Sequence, residues 1–258
     1  MRYILQGFVI LGLTFLTQIG GVAWLLSLPM PRRTLRLALF ALSYLVLWAA
    51  CLWLAPLGGR VALPCHGTGH ATGPLEMRSW LTCALNRNYV TPDLKAALER
   101  TAQTMQDRHP GTITQVLDAN FPFLDGFPLL PHLSHKDGRK ADLALYYMRD
   151  GQYLAGKTRS PIGYFAFQQG PSDCPRKWPT LRWDMGWLQG LFPDYQLDPQ
   201  RTRDLLAVLQ ADPAIGKVFL EPHLVAEIGA NEPKIRFQGC RAARHDDHLH
   251  LQLAPRGG

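Results

Sequence analysis

No acidic residue occurs in the first 60 positions. No charge of either sign lies between Tyr3 and Pro31, or between Leu37 and Gly59. These absences exclude ordinary surface helices, which need a polar face at helical spacing. Each run exceeds the roughly 20 apolar residues that cross a bilayer core. The first run has almost no basic n-region and is too long for a cleavable leader, so it reads as an anchor. Arg32, Arg33 and Arg36 separate the runs. A short basic loop of this kind stays in the cytoplasm. The expectation is a two-helix transmembrane hairpin over 1–58, with the N-terminus and everything after about Pro56 on the outer side.

Other absences narrow the function. There is no Gly-x-Ser-x-Gly, Walker or dinucleotide-binding motif, and no internal repeat. No Cys-x-x-Cys pair exists, which argues against a zinc–thiolate site. The net charge of +7 looks like that of a nucleic-acid binder, but five arginines and no acid fall in residues 1–60. The rest carries 22 basic against 20 acidic side chains, so the basic balance reports topology and no nucleic-acid partner is expected.

Five cysteines are present. Cys51 falls in the second apolar run; Cys65, Cys83, Cys174 and Cys240 lie beyond it. An even number in an oxidising compartment allows two disulfides, with three connectivities open.

Residues 59–90 are rich in Gly, Pro and His and read as a linker, with His66 and His70 solvated. Thr91-Pro92-Asp93 starts a helix that runs to about Gln106. Strands are expected at Thr112–Leu117, Lys140–Tyr147, Val218–Leu220, Lys234–Gln238 and His248–Leu253. Further helices follow Asp198-Pro199 and span Pro222–Ile228. Arg149-Asp-Gly-Gln reads as a hairpin turn. Tyr164, Phe165, Phe167, Trp178, Trp183 and Trp187 read mostly as core. The fold class is α+β, with a small, mostly antiparallel sheet and flanking helices.

Five of the nine histidines fall in two clusters, His132/His135 and His245/His248/His250. Asp142 follows His135 by seven residues across a tight turn, so both can point into one pocket. His248 and His250 are two apart on a strand and share a face, with Leu249, Leu251 and Leu253 on the other. Imidazoles with a carboxylate suit catalytic zinc, which keeps three protein ligands and one open position. Either His248 or His250 can bind the metal while the other serves beside it.

Ser134-His135-x-x-Gly138-x-x-x-Asp142, followed by His248-x-His250, resembles the LAS group of zinc peptidases. Within that group it is most similar to the penicillin-insensitive murein endopeptidases. Those also carry a histidine at the place of His132, and a run like His245-Asp-Asp-His248-Leu-His250. Val218-Phe-Leu-Glu-Pro222 resembles the strand leading to their late helix, and the likeness covers roughly 112–253. It implies a hedgehog/DD-peptidase-like fold, with His135, Asp142 and His250 binding one Zn2+ and His248 as general base. His132 and His245 would support the ligands or touch substrate. The family has Trp and Arg where this chain has Ala242 and Gln252.

The implied protein is an inner-membrane murein endopeptidase, with residues 91–258 a periplasmic domain acting on peptidoglycan stem peptides. The rival readings are a non-catalytic, zinc-containing wall-binding or scaffolding module, and a D,D-carboxypeptidase on the same fold.

Overall fold

The computed structural model describes residues 2–66, 73–172, 174–175, 186–230 and 233–255. His70, Trp178 and Trp183 lie outside them.

The first apolar run is not one helix. It forms α1 (Arg2–Thr17) and α2 (Gly20–Ser27), joined at Gln18, whose φ is +69°. Thr17 caps the break by accepting from Gly20 N–H at 2.8 Å. The two helices lie close because Gly20 and Gly21 carry no side chain. A Cβ on Gly21 would collide with Thr14 Oγ1. At 16 residues, α1 rises about 24 Å, short of a bilayer core. The second run forms α3 (Arg33–Leu54), continued by a 3-10 turn at Ala55–Gly58. Among the described residues, Arg33–Gly58 is the one helix long and apolar enough to cross a membrane. The expected pair of equivalent spans is therefore replaced by one long helix and a folded-back pair.

The N-terminus is also placed differently from expectation. The C-terminal end of α1 meets the body: Gln18 exchanges two hydrogen bonds with the Phe123 backbone, at 2.8 and 2.9 Å. α3 meets the same body near its own C-terminal end, where Cys51 and Ala55 pack with Ile19 and Tyr89. α1 and α3 thus both run toward the body, and the N-terminus lies at the end away from it.

Residues 59–90, expected as a linker, contribute β1 (Val61–Ala62), β2 (Leu75–Met77), α4 (Trp80–Ala84) and β3 (Tyr89–Val90). Cys65–Cys83 ties this segment to itself, and Cys174–Cys240 ties two later loops. His66 is exposed, as expected, and its ring lies 3.1 Å from the buried carboxylate of Glu76.

α5 (Pro92–Arg108) follows, capped by Thr91 as its sequence demands. Then come β4 (Thr114–Asp118), β5 (Lys140–Ala144), β6 (Tyr147–Arg149), β7 (Gln152–Tyr153) and β8 (Gln196–Leu197). α6 (Pro199–Ala211), β9 (Ile215–Phe219), α7 (Pro222–Ile228), β10 (Ile235–Arg236) and β11 (His248–Leu253) complete the chain. The main sheet has the order β10-β9-β11-β5-β4-β2, antiparallel at its centre and parallel at both edge pairs. The β6–β7 turn uses Asp150 and Gly151 at positive φ, as Asp-Gly turns do.

The body is thus α+β with small, mostly antiparallel sheets. Leu94, Leu98 and Met105 of α5 pack with Leu205 and Leu209 of α6 against Leu143, Leu249 and Leu251. That leaves the other sheet face to His248 and His250. Of the aromatics expected in the core, Tyr164 and Phe167 are buried, whereas Trp187 is 80% exposed.

The Gln18–Phe123 pairing is the testable link between the N-terminal helices and the body. Gln18→Ala leaves the Phe123 amide without its partner, at a cost of about 1–3 kcal/mol. Faster amide exchange across 121–127, with α5 unchanged, is the expected result. Unchanged exchange would show that the pairing holds nothing in place.

Candidate metal centre

Register builds the site. In the β5–β11 ladder His250 stands opposite Asp142 and His248 opposite Ala144. Between β4 and β5, Val116 stands opposite Leu143 but Asp118 opposite Asp142, so β4 carries a bulge. The bulge turns Asp118 off the core face occupied by Val116 and toward the histidines, as extra residues in a ladder do. Asp118, Asp142 and His250 therefore form a row across three adjacent strands.

His135 enters from the loop after β4. Its Nδ1 meets the Ala119 carbonyl at 2.6 Å, and its amide donates to His132 O at 2.8 Å. The loop is anchored from residues 59–90: the Arg87 guanidinium grips both Asp118 carboxylate oxygens and donates to Leu130 O at 2.6 Å. His132 turns its Nδ1 to Asp118, and lies 3.2 Å from Asp142 Oδ2.

Three donor atoms converge. His135 Nε2 lies 3.1 Å from His250 Nδ1, which lies 2.8 Å from Asp142 Oδ1, itself 3.2 Å from His135 Nε2. Tetrahedral zinc with bonds of 2.0–2.1 Å separates its ligands by about 3.3 Å. The triangle is close to that size, so the donor set fits the ion. His132, His135 and Asp142 also form a group able to hold a metal ion. We favour His250 over His132 as the third donor, because His132 is engaged with Asp118 while His250 Nδ1 closes the smaller triangle. On its other side, His250 Nε2 lies 3.1 Å from the Gln252 amide, a contact that sets the ring's orientation.

His248 stands beside this group. Asp247 Oδ1 holds its Nδ1 at 2.6 Å, and Asp247 Oδ2 accepts from the Phe165 amide at 3.1 Å. His248 Nε2 is buried without a hydrogen-bond partner, 3.9 Å from Asp142 Oδ1. His245 is fixed by the backbone, its amide donating to Glu221 Oε1 at 3.3 Å. The Tyr164 ring closes the site, 4.7 Å from His248 and 4.8 Å from His132 between centroids. Tyr164 has a φ of +68°, a strained backbone for a residue other than glycine. The preceding Gly163 is obligatory, since a Cβ there would sit 2.8 Å from His248 Nδ1.

Burial and charge compete throughout. Burial raises Asp142, but His135, His132 and His248 hold it well below the ordinary carboxylate range. Burial likewise opposes Arg87 and His132 at Asp118, which the two hold at about 2. Burial pulls His250 down to about 4, against its Asp142 hydrogen bond. Burial and the neighbouring imidazoles of His248 and His250 push His245 well down. At His248 burial is overcome by Asp142 and Asp247, and the pKa rises.

All six residues singled out from the sequence meet in this cluster. Sequence reasoning missed Arg87, Asp118 and Asp247, and read Tyr164 mostly as core. Only Asp247, next to His248 in the chain, carried a signal that could have been used.

No protein-family model matches the chain, and no curated protein matches it either.

The two ways of completing the donor set are separable. Zinc per chain, by elemental analysis of the full-length protein, falls toward zero in Asp142→Ala and His250→Ala and stays near wild type in His132→Ala. The reverse pattern for the two histidine variants would move the site to the His132 side.

Proposed function

We propose that this chain is a membrane-anchored zinc metallopeptidase that hydrolyses amide bonds in peptidoglycan peptide crosslinks. One observation carries the reading. Three buried donors, His135 Nε2, Asp142 Oδ1 and His250 Nδ1, stand 2.8–3.2 Å apart beside His248, an imidazole with an uncommitted nitrogen. A zinc ion there would supply Lewis acidity, activating water and polarising an amide carbonyl.

The protein's own groups do the rest. Asp247 holds His248 in the tautomer that leaves Nε2 facing the donors. Nε2 takes a proton from the attacking water and returns it to the leaving amine, the work of a general base that becomes a general acid. Burial and the neighbouring imidazoles of His248 and His250 hold His245 well below the usual imidazole range, which favours its neutral form beside His248. The family likeness of His135-x6-Asp142 and His248-x-His250 supplies the substrate class, peptidoglycan stem peptides. No nucleic acid enters this reading. Arg33–Gly58 is the span, and Arg32, Arg33 and Arg36 put the sheet body on the periplasmic side of the inner membrane.

Burial favours a second reading, a non-catalytic wall-binding module shaped by zinc. None of His132, His135, Asp142, His245, His248 and His250 is more than 5% exposed, and Tyr164 lies over them. Catalysis therefore requires the Gly163–Tyr164 segment to move aside.

His248→Ala in the full-length chain separates the readings. It should keep its zinc and lose muropeptide release from purified sacculi by about a hundred- to ten-thousand-fold. Unchanged release would remove His248 from the chemistry. Sacculus binding by the wild type at full zinc occupancy, with no release, would favour the wall-binding module.

A further inference from the structure

α3 touches the body below its end as well as at it. Tyr44 donates its hydroxyl to Ala84 O at 2.6 Å, and Trp48 donates its indole N–H to Cys83 O at 2.8 Å. Both carbonyls belong to the last turn of α4, where a helix's carbonyls lack intrahelical N–H donors; Cys83 O also accepts from the Asn86 amide at 3.0 Å. The Cys65–Cys83 disulfide ties α4 to the chain between β1 and β2. This short helix is thus fastened along α3 and does not sit on the sheet alone.

Its depth follows from the helix rise. Cys51 is where α3 is buried against Tyr89 of the body. Trp48 and Tyr44 precede it by three and seven residues, about 5 and 10 Å along the axis. α4 therefore lies on the span side of the plane where α3 meets the sheet body. Its outward residues are apolar all the same, with Trp80 66% and Leu81 51% exposed. Between α4 and α3 runs an apolar groove of about 400 Å³, lined by Tyr44, Leu45, Trp48, Trp80, Ala84 and the disulfide. Leu45, on its wall, is 61% exposed, as is the neighbouring Val46 at 60%. The groove is continuous with the apolar surface of the span.

We infer that α4 is an interfacial helix sunk into the leaflet next to the body, and that its groove against α3 holds one acyl chain of a membrane lipid. Trp and Tyr favour that layer because an apolar ring can enter the hydrocarbon while its N–H or O–H stays satisfied. Here Tyr44 and Trp48 meet that need internally, through the α4 carbonyls. An aqueous setting would leave Trp80, Leu81, Leu45 and Val46 as one exposed apolar patch, which soluble surfaces avoid. The inference rests on α3 crossing the membrane and is independent of the peptidase chemistry.

The test uses the full-length chain in nanodiscs of phosphatidylcholine bearing a photoreactive diazirine on its acyl chain. Lipid adducts are mapped by mass spectrometry after illumination. Leu42, 60% exposed on α3, reports the span itself. Adducts are expected on Leu42 and on Trp80 or Leu81. Two variants fill the groove from opposite walls, Leu45→Trp and Ala84→Phe. Each should lose the Trp80 adduct and keep the one on Leu42. An unchanged circular dichroism spectrum and an intact Cys65–Cys83 bond show that each variant has folded, and sacculus digestion by the same preparations follows the peptidase reading separately. Labelling of Leu42 without Trp80 or Leu81 would overturn the inference, as when water or a second copy of the chain covers the groove. Labelling of neither would remove the span and the inference together. A Trp80 adduct that survives in both folded variants would place α4 in lipid but overturn the groove as the binding site.

Discussion

Asp142 and His250 face each other across β5 and β11, and their side chains meet at 2.8 Å. This pairing is a matter of register. A slip of one residue would send His248 and His250 to the helix-covered face and turn Leu249, Leu251 and Leu253 outward. The leucines are buried against α5 and α6, so the core selects the register and the register places the donors. Core packing and site geometry are two results of one alignment.

The remaining donor depends on a loop, and the loop is held from three directions. Arg87 ties Leu130 to Asp118. Gln18 ties Phe123 to the α1–α2 turn. Arg60, just past α3, donates to Phe121 O at 2.8 Å and pairs with Asp125. Its side chain passes over Gly138, where a Cβ would lie 2.5 Å from its Nε. A glycine there leaves room for the clamp, which is a physical reason for its place between His135 and Asp142. The N-terminal helices thereby help to hold the loop that carries His135.

Elements whose signal is local were legible in the sequence. Thr91-Pro92 and Asp198-Pro199 each supply a cap and a first-turn proline, and helices start at both. His248–Leu253 alternates cleanly and forms one strand. The convergence of His135, Asp142 and the His248/His250 strand was also legible from turn and strand spacing, but only the family resemblance singled out His250 over His248. What depends on tertiary partners was hidden. Charge absence cannot show that Gln18 breaks the first apolar run, since that break rests on a left-handed residue and two glycines packed on threonines. β2 is three residues inside Gly- and Pro-rich sequence, and it exists because β4 gives it an edge. Asp118 follows Val116 by two, so simple alternation assigns it to the core, and only the bulge brings it to the site.

The charge balance of the cluster bears on what it is for. Asp118 is paired with Arg87, and Asp246 with Arg244. Asp142 is fully buried and ionised, yet its ion-pair partners among the described residues are imidazoles alone: His132, His135, His248 and His250. Its charge can be met in two ways. Protons on the rings would do so: burial opposes them, but Asp142 favours them at His135 and His248, whereas burial wins at His132 and His250. A single cation would do so while the rings stay neutral, and it would engage the lone pairs of His135 Nε2 and His250 Nδ1 together with the carboxylate. A carboxylate ringed by imidazoles contributes little to folding by itself, and the buried His and Asp donors here form a group that could hold a metal ion.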